Sequence, residues 1–187
     1  MSENLSEEKE FLANAPLYLE IGIGKGDFIL GMSSLQGGYW VGVEREKDVL
    51  AIAAKKVVEA EKTNILLRDG DFDSVYEEIK DVKFDAIYLN FSDPWPKRRH
   101  WKRRLTTRER LLKMNSLLKE GGKIVFKSDN RDLYQFTLEE AKEAGFPILF
   151  FTEAYPGGED DVMSEYEKNF RSQNKPITRV ILGKKGE

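Results

Sequence analysis

A strand that must stop constrains this chain more than any other feature. Phe84-Asp85-Ala86-Ile87-Tyr88-Leu89 is a short β-branched and aromatic run of the kind that forms a buried strand. The residues that follow are Asn90-Phe91-Ser92-Asp93-Pro94-Trp95-Pro96-Lys97-Arg98-Arg99-His100. Pro94 and Pro96 end the strand and stiffen what comes next. Asp93 is thereby expected on a rigid turn at a strand's C-terminal end, the edge of an open α/β sheet where ligands bind. A bare Asp-Pro reads as a turn with the aspartate capping a helix. Asn90, Asp93, Trp95 and the burst of positive charge together point instead to an active-site loop that meets nucleic acid.

On either side of this loop the chain alternates between strand and helix patterns. Leu17–Ile21, Tyr39–Glu44, Ile65–Leu67, Ala86–Leu89 and Lys123–Lys127 read as successive strands, with Ile148–Phe151 sixth and Ile177–Leu182 last. Between them, helices are predicted over Phe28–Leu35, Lys47–Lys62, Val75–Ile79, Arg108–Leu118 (stopped by Gly121-Gly122) and Leu133–Ala144 (ended at Gly145). Tyr155–Lys175 reads as a long irregular connection, the kind that serves as a lid or binding loop. The rhythm is that of a doubly wound α/β domain with mainly parallel pairing. With 187 residues, 40% hydrophobic content and no linker or repeat, one domain is expected.

Composition excludes several kinds of chemistry. No cysteine is present, so disulfides and thiolate metal sites are ruled out, and His100 is the single histidine, which argues against His-ligated zinc and a Ser-His-Asp triad. No metal is expected. No apolar stretch is long enough to span a membrane, and Met1–Glu10 is acidic and lacks the apolar core of a signal peptide, so a cytoplasmic protein is expected.

The charge is unevenly placed. Net charge is only −3, yet Lys97, Arg98, Arg99, Lys102, Arg103, Arg104, Arg108 and Arg110 crowd one segment with Glu109 as its only acid. A charge run is usually a solvated helix face. Here interspersed opposite charge is missing, and Trp95 and Trp101 offer stacking surfaces, so the segment is expected to contact nucleic-acid phosphates.

The first strand runs into Glu20-Ile21-Gly22-Ile23-Gly24-Lys25-Gly26, a glycine turn that lets a ligand approach the backbone. The spacing is not the dinucleotide G-x-G-x-x-G, and a carboxylate two residues before the first glycine suits a cationic or amine-bearing ligand better than a pyrophosphate. Glu44 ends the second strand, where an acid can accept both ribose hydroxyls. Asp71, in Arg68-Asp69-Gly70-Asp71-Phe72, follows the third strand within reach of an adenine amino group, although it suits a helix cap equally well. Glu20, Glu44, Asp71 and Asp93 thus fall at the ends of strands one to four. Four acids at one sheet edge fit S-adenosylmethionine, whose amino group and sulfonium are both cationic.

The glycine turn, Glu44, Tyr88-Leu89-Asn90-Phe91-Ser92-Asp93-Pro94-Trp95-Pro96-Lys97, Phe126-Lys127-Ser128-Asp129-Asn130 and Met163-Ser164-Glu165-Tyr166-Glu167 closely resemble the bacterial tRNA (guanine-N7)-methyltransferase family. The resemblance implies a Rossmann-like seven-stranded methyltransferase sheet with an antiparallel last strand. It also implies methyl transfer from S-adenosylmethionine to N7 of a guanine in the tRNA variable loop. Carried over by position, Glu20, Glu44, Asp71 and Asp93 would contact the cofactor, Lys97, Asp129, Ser164 and Glu167 the tRNA, and Asp93 would be catalytic. Ser164 stands where the family pattern has threonine. From the residues alone, Ser164 and Glu167 are equally a helix capping box and Asp129-Asn130 a helix start. Two other functions compete: methylation of an exocyclic nitrogen, because Asp93-Pro94-Trp95 echoes Asp-Pro-Pro-Tyr loops, and RNA binding without catalysis.

Overall fold

A computed structural model describes residues 15–186. Seven strands form one sheet in the order β3-β2-β1-β4-β5-β7-β6. They are β1 (Leu17–Ile21), β2 (Tyr39–Glu44), β3 (Ile65–Asp69), β4 (Phe84–Asn90), β5 (Leu118–Ser128), β6 (Ile148–Thr152) and β7 (Thr178–Gly183). The helices are α1 (Asp27–Leu35), α2 (Lys47–Glu59), α3 (Phe72–Ile79), α4 (Arg108–Ser116), α5 (Arg131–Glu143) and α6 (Glu165–Ser172), with a 3-10 helix at Arg98–Arg103. β1 to β5 pair in parallel, and β7 inserts antiparallel between β5 and β6. The expected antiparallel last strand is therefore present.

Strand alternation sends successive side chains to opposite faces. Leu17, Leu19 and Ile21 of β1, with Ile87 and Leu89 of β4, pack against Val75 of α3, Leu111 of α4 and Leu133 of α5. Phe28, Ile29 and Met32 of α1 and Ala53 of α2 cover the other face with Trp40, Tyr88 and Val125. The result is a sheet sandwiched between two helical layers, as the near-continuous apolar strands require. Fully burying side chains of this size contributes roughly 1.5–3 kcal/mol each. β1 and β4 are adjacent, and from them the chain winds outward in opposite directions. This reversal opens a crevice above their C-terminal ends, the place where such sheets bind ligands.

Two segments differ from the expectation. Gly121 and Gly122 do not stop a helix; they lie inside β5, where register passes from Phe84↔Leu118 to Ala86↔Lys123 through an irregularity. Gly121 has φ 74° and a Cβ on Gly122 would sit 2.8 Å from the Lys119 carbonyl oxygen, so the pair builds a bulge. The stretch Tyr155–Lys175 contains α6, capped by Ser164, whose Oγ accepts from the Glu167 amide at 3.1 Å. Its buried side is the carboxylate Glu167, so no apolar periodicity announces the helix. Among the described residues no helix is long and apolar enough to cross a membrane. Met1–Glu10, expected to hold no signal peptide, lies outside the described residues.

Candidate active site

A cavity of about 500 Å³ opens over the crevice between β1 and β4. Its walls come from the glycine turn (Gly22, Gly24), the end of β2 and the residue after it (Glu44, Arg45), the β3–α3 turn (Gly70, Asp71), the end of β4 and the loop that follows (Asn90–Asp93, Trp95) and Tyr166 of α6. Gly22 and Gly24 have φ of 77° and 56°, a region L side chains avoid, and a Cβ on Gly22 would meet nothing within 4 Å. The turn thus presents bare backbone to the cavity.

Of the four acids at strand ends, Glu20 lies deepest. It is 1% exposed, and Asn90 Nδ2 donates to its Oε1 at 3.1 Å. Glu20 Oε2, Asn90 Oδ1 and Ser92 Oγ are buried without a hydrogen-bond partner. Burial pushes the Glu20 carboxyl up to about 8, against the opposing pull of Asn90 and the Lys127 ammonium; Glu44 adds to the rise. Glu44 braces the site: Gly24 N donates to its Oε2 at 2.9 Å and Glu46 N to its Oε1 at 3.0 Å. Asp71 caps α3, accepting from Ser74 N at 2.9 Å. Asp93 is exposed at the mouth and accepts from Arg45 Nη2 at 2.9 Å.

Orphaned acceptors beside exposed backbone suit a ligand that brings its own N–H and O–H donors and positive charge. S-adenosylmethionine has these groups. Its amino-acid end would meet Glu20, Asn90 and the glycine turn, its ribose Glu44, and its adenine the Asp71 side.

The residues expected to contact tRNA lie on three separate segments. Lys97 is exposed and precedes the 3-10 helix, its carbonyl accepting from His100 N. Asp129 is partly buried just before α5, 3.9 Å from Lys175 Nζ. Glu167 is fully buried, with Oε2 accepting from Lys127 Nζ at 2.7 Å and Oε1 from Arg171 Nη2 at 2.7 Å and Nε at 2.9 Å. Both Ser164 and Glu167 therefore hold α6 in place, whatever else they contact.

The basic segment divides in two. Lys97, Arg98, Arg99, Lys102 and Arg103 are exposed. Arg104 is 2% exposed, donates from Nε to the Pro94 carbonyl at 2.8 Å, and lies over the rings of Trp101 and Phe136. Arg110 grips Asp73, and Arg108 pairs with Glu143. Along the chain only Glu109 stands near as a counter-charge, because Asp73 and Glu143 arrive from other elements. Trp95 sits at the cavity mouth with the Arg103 guanidinium 5.1 Å from its ring centroid. Arg45 and Tyr166 line the cavity without having been expected there. Arg45 directly follows Glu44 and Tyr166 lies inside the Ser164–Glu167 motif, which were the available signals.

The family model described as "Putative methyltransferase" matches residues 14–180. A tRNA (guanine-N(7)-)-methyltransferase of Lachnoclostridium phytofermentans is 38% identical over 178 residues, covering 93% of this chain and 83% of that protein. The one of Bacillus subtilis is 37% identical over 168 residues, covering 88% and 79%. The chain belongs to the tRNA (guanine-N7)-methyltransferase family. Solved structures agree on the fold. A methyltransferase from Pyrococcus furiosus superposes with TM-score 0.66 at 18% identity, over 94% of this chain and 78% of that one. Aeropyrum pernix fibrillarin, solved with natively bound S-adenosyl-L-methionine, gives 0.59 at 14%, over 89% and 66%.

Proposed function

We propose that this protein, acting as a single domain in the cytoplasm, methylates N7 of a guanine in the tRNA variable loop with S-adenosylmethionine as donor. The observation that carries the reading is the juxtaposition at the C-terminal sheet edge. A cavity lined with acids and orphaned acceptors opens beside five exposed cations and an aromatic ring. The cations suit tRNA phosphates, and the acids suit a cationic donor. Family membership supplies the tRNA guanine.

When bound, S-adenosylmethionine supplies an electrophilic methyl group on a sulfonium. Guanine N7 carries a lone pair outside the aromatic sextet, so no proton must leave before attack and no strong general base is needed. Methyl transfer leaves positive charge on the purine. A carboxylate near the base stabilises that charge more in the transition state than in the ground state. Asp93 is exposed at the cavity mouth and suited to this role, accepting from guanine N1–H or N2–H2 and so favouring guanine over adenine. Asp129, partly exposed beside Lys175, is the second acid suited to meet the tRNA. Glu167, whose two oxygens are held by Lys127 and Arg171, contributes through the placement of α6 and the Ser164 turn. Lys97 suits a tRNA phosphate or base oxygen. Alignment of N7 with the methyl and sulfur provides much of the remaining acceleration.

The test is transfer from labelled S-adenosylmethionine to unmodified tRNA, followed by digestion and identification of the nucleoside. 7-Methylguanosine is the expected product. Label on an exocyclic nitrogen would overturn the N7 chemistry, and cofactor binding without transfer to tRNA would overturn the substrate.

A further inference from the structure

Lys127 is a buried cation that the transfer chemistry does not use. It lies one residue before the end of β5 on the face covered by α1, is 1% exposed, and its ammonium lies 5.1 Å from the Phe28 ring centroid. Nζ donates to Asp161 Oδ2 at 3.0 Å and Oδ1 at 3.2 Å, to the Val162 carbonyl at 3.3 Å and to Glu167 Oε2 at 2.7 Å. Arg171 closes the cluster, reaching Glu167 Oε1 and, from Nη2, the Tyr155 carbonyl at 2.9 Å. Two cations and two carboxylates thus balance, and each of these partners of Lys127 belongs to the segment between β6 and β7. That segment cannot lift away without unpairing buried charge, which is costly.

The same segment walls the cofactor cavity. Tyr166 Cε2 lies 3.4 Å from where a Cβ on Gly24 would stand, and Glu165 pairs with Lys25 of the glycine turn at 2.9 Å. Val162 packs onto α1 so closely that a Cβ on Gly31 would approach its Cγ1 to 2.6 Å. The strap therefore touches the cofactor turn at one end and is bolted to the sheet through Lys127 at the other.

We propose that Lys127 is a positioning residue for methyl transfer: from near the end of β5 it holds α6 against the glycine turn, so that Tyr166 and the Ser164–Glu167 turn stand where tRNA meets the cofactor. This rests on the tRNA methyltransferase reading above. Lys127 touches neither substrate nor reacting atoms; it acts through Glu167, Asp161 and the helix they carry.

The decisive variant is Lys127→Met/Asp161→Asn. It removes one charge of each sign, leaves the Arg171–Glu167 pair intact, and strands no buried ion. Melting temperature, S-adenosylhomocysteine affinity by calorimetry, and single-turnover transfer at saturating tRNA and cofactor are measured against the wild type. The expected result is a folded protein whose single-turnover transfer at saturating cofactor falls about 100-fold, the scale of an ångström-sized misplacement, while S-adenosylhomocysteine affinity falls no more than about tenfold through the lost pull of Lys127 on Glu20. Wild-type transfer in this variant, or a loss of cofactor affinity as large as the loss of transfer, would overturn the proposal. Should the double variant not fold, Tyr166→Ala decides without touching the ion cluster. A transfer loss about tenfold larger than any loss of cofactor affinity supports the proposal, and an unchanged rate refutes it. The wild-type arm separates the two claims: if wild-type protein itself makes no 7-methylguanosine, the functional reading fails first.

Discussion

Arg45 donates from Nη2 to Asp93 Oδ2 at 2.9 Å, tying the loop after β2 to the loop after β4 across the mouth of the cavity. Both side chains are half exposed or more, so the pair contributes at most about 1 kcal/mol and yields readily to a ligand. Arg45→Ala is expected to leave the melting temperature nearly unchanged. Asp93→Asn is expected to lower turnover about 100-fold, in keeping with loss of one preorganised group at a site of developing charge. Steady-state kinetics with tRNA, alongside calorimetry with S-adenosylhomocysteine, separates the catalytic loss from any loss of cofactor binding.

Glu20 predicts a proton-linked cofactor site. Burial raises its carboxyl from the ordinary 4.5 to about 8, so at neutral pH the ligand-free protein holds it mostly protonated. A cationic amino group favours the ionised form. Binding should release a proton near pH 7, and affinity should rise with pH and level off above about 8. Calorimetry in buffers of different ionisation enthalpy reads the released proton directly. The stability consequence has the opposite sign. The native state holds a proton that the unfolded chain has lost between pH 4.5 and 8, so this group's contribution falls across that window. Glu20→Gln should flatten that part of the melting profile and weaken cofactor binding.

The division of the basic segment predicts two classes of arginine variant. Arg98→Ala and Arg99→Ala should leave stability unchanged. Each should make the plot of log tRNA affinity against log salt shallower by about 0.7–0.9 for every phosphate the arginine neutralises. Arg104→Ala should instead cost about 2 kcal/mol, because it orphans the Pro94 carbonyl and empties the space between Trp101 and Phe136. Titrations over a salt series and denaturant melts distinguish the classes.

Gly22 offers a way to block the cofactor without disturbing the core. A side chain there would project into open space, so Gly22→Val should lose S-adenosylhomocysteine binding while destabilising the fold by only the roughly 1–2 kcal/mol of a left-handed backbone. Loss of binding with a shift in melting temperature of several degrees at most is the expected pattern. Unchanged binding would place the cofactor away from the glycine turn.

Much of the fold was legible because parallel strands buried on both faces write themselves as short apolar runs. The acids at the ends of β1 to β4 could be aligned once those runs were counted. Glu20, Glu44, Asp71 and Asp93 do fall at one sheet edge, three of them lining a single cavity with Glu20 reached through Asn90. What the chain concealed was long-range electrostatics. Asp73 and Glu143 neutralise arginines that look unopposed in sequence, and α6 is anchored by a carboxylate where a helix would ordinarily show an apolar stripe. Gly121-Gly122 misled for a different reason: paired glycines end helices and bulge strands alike, and only the register of β4 against β5 separates the two.

Phe91 and Trp95 stand at φ 54° and 42°, bulky residues in a conformation that favours glycine. Trp95 is there although Pro96 follows, and its ring carries the Arg103 guanidinium. Backbone and side chain at this position therefore ask for different amino acids. A selection for thermal tolerance alone should drift towards glycine or asparagine at residue 95, whereas a selection for tRNA modification should hold the tryptophan. The loop is a place where the two pressures can be told apart in one library.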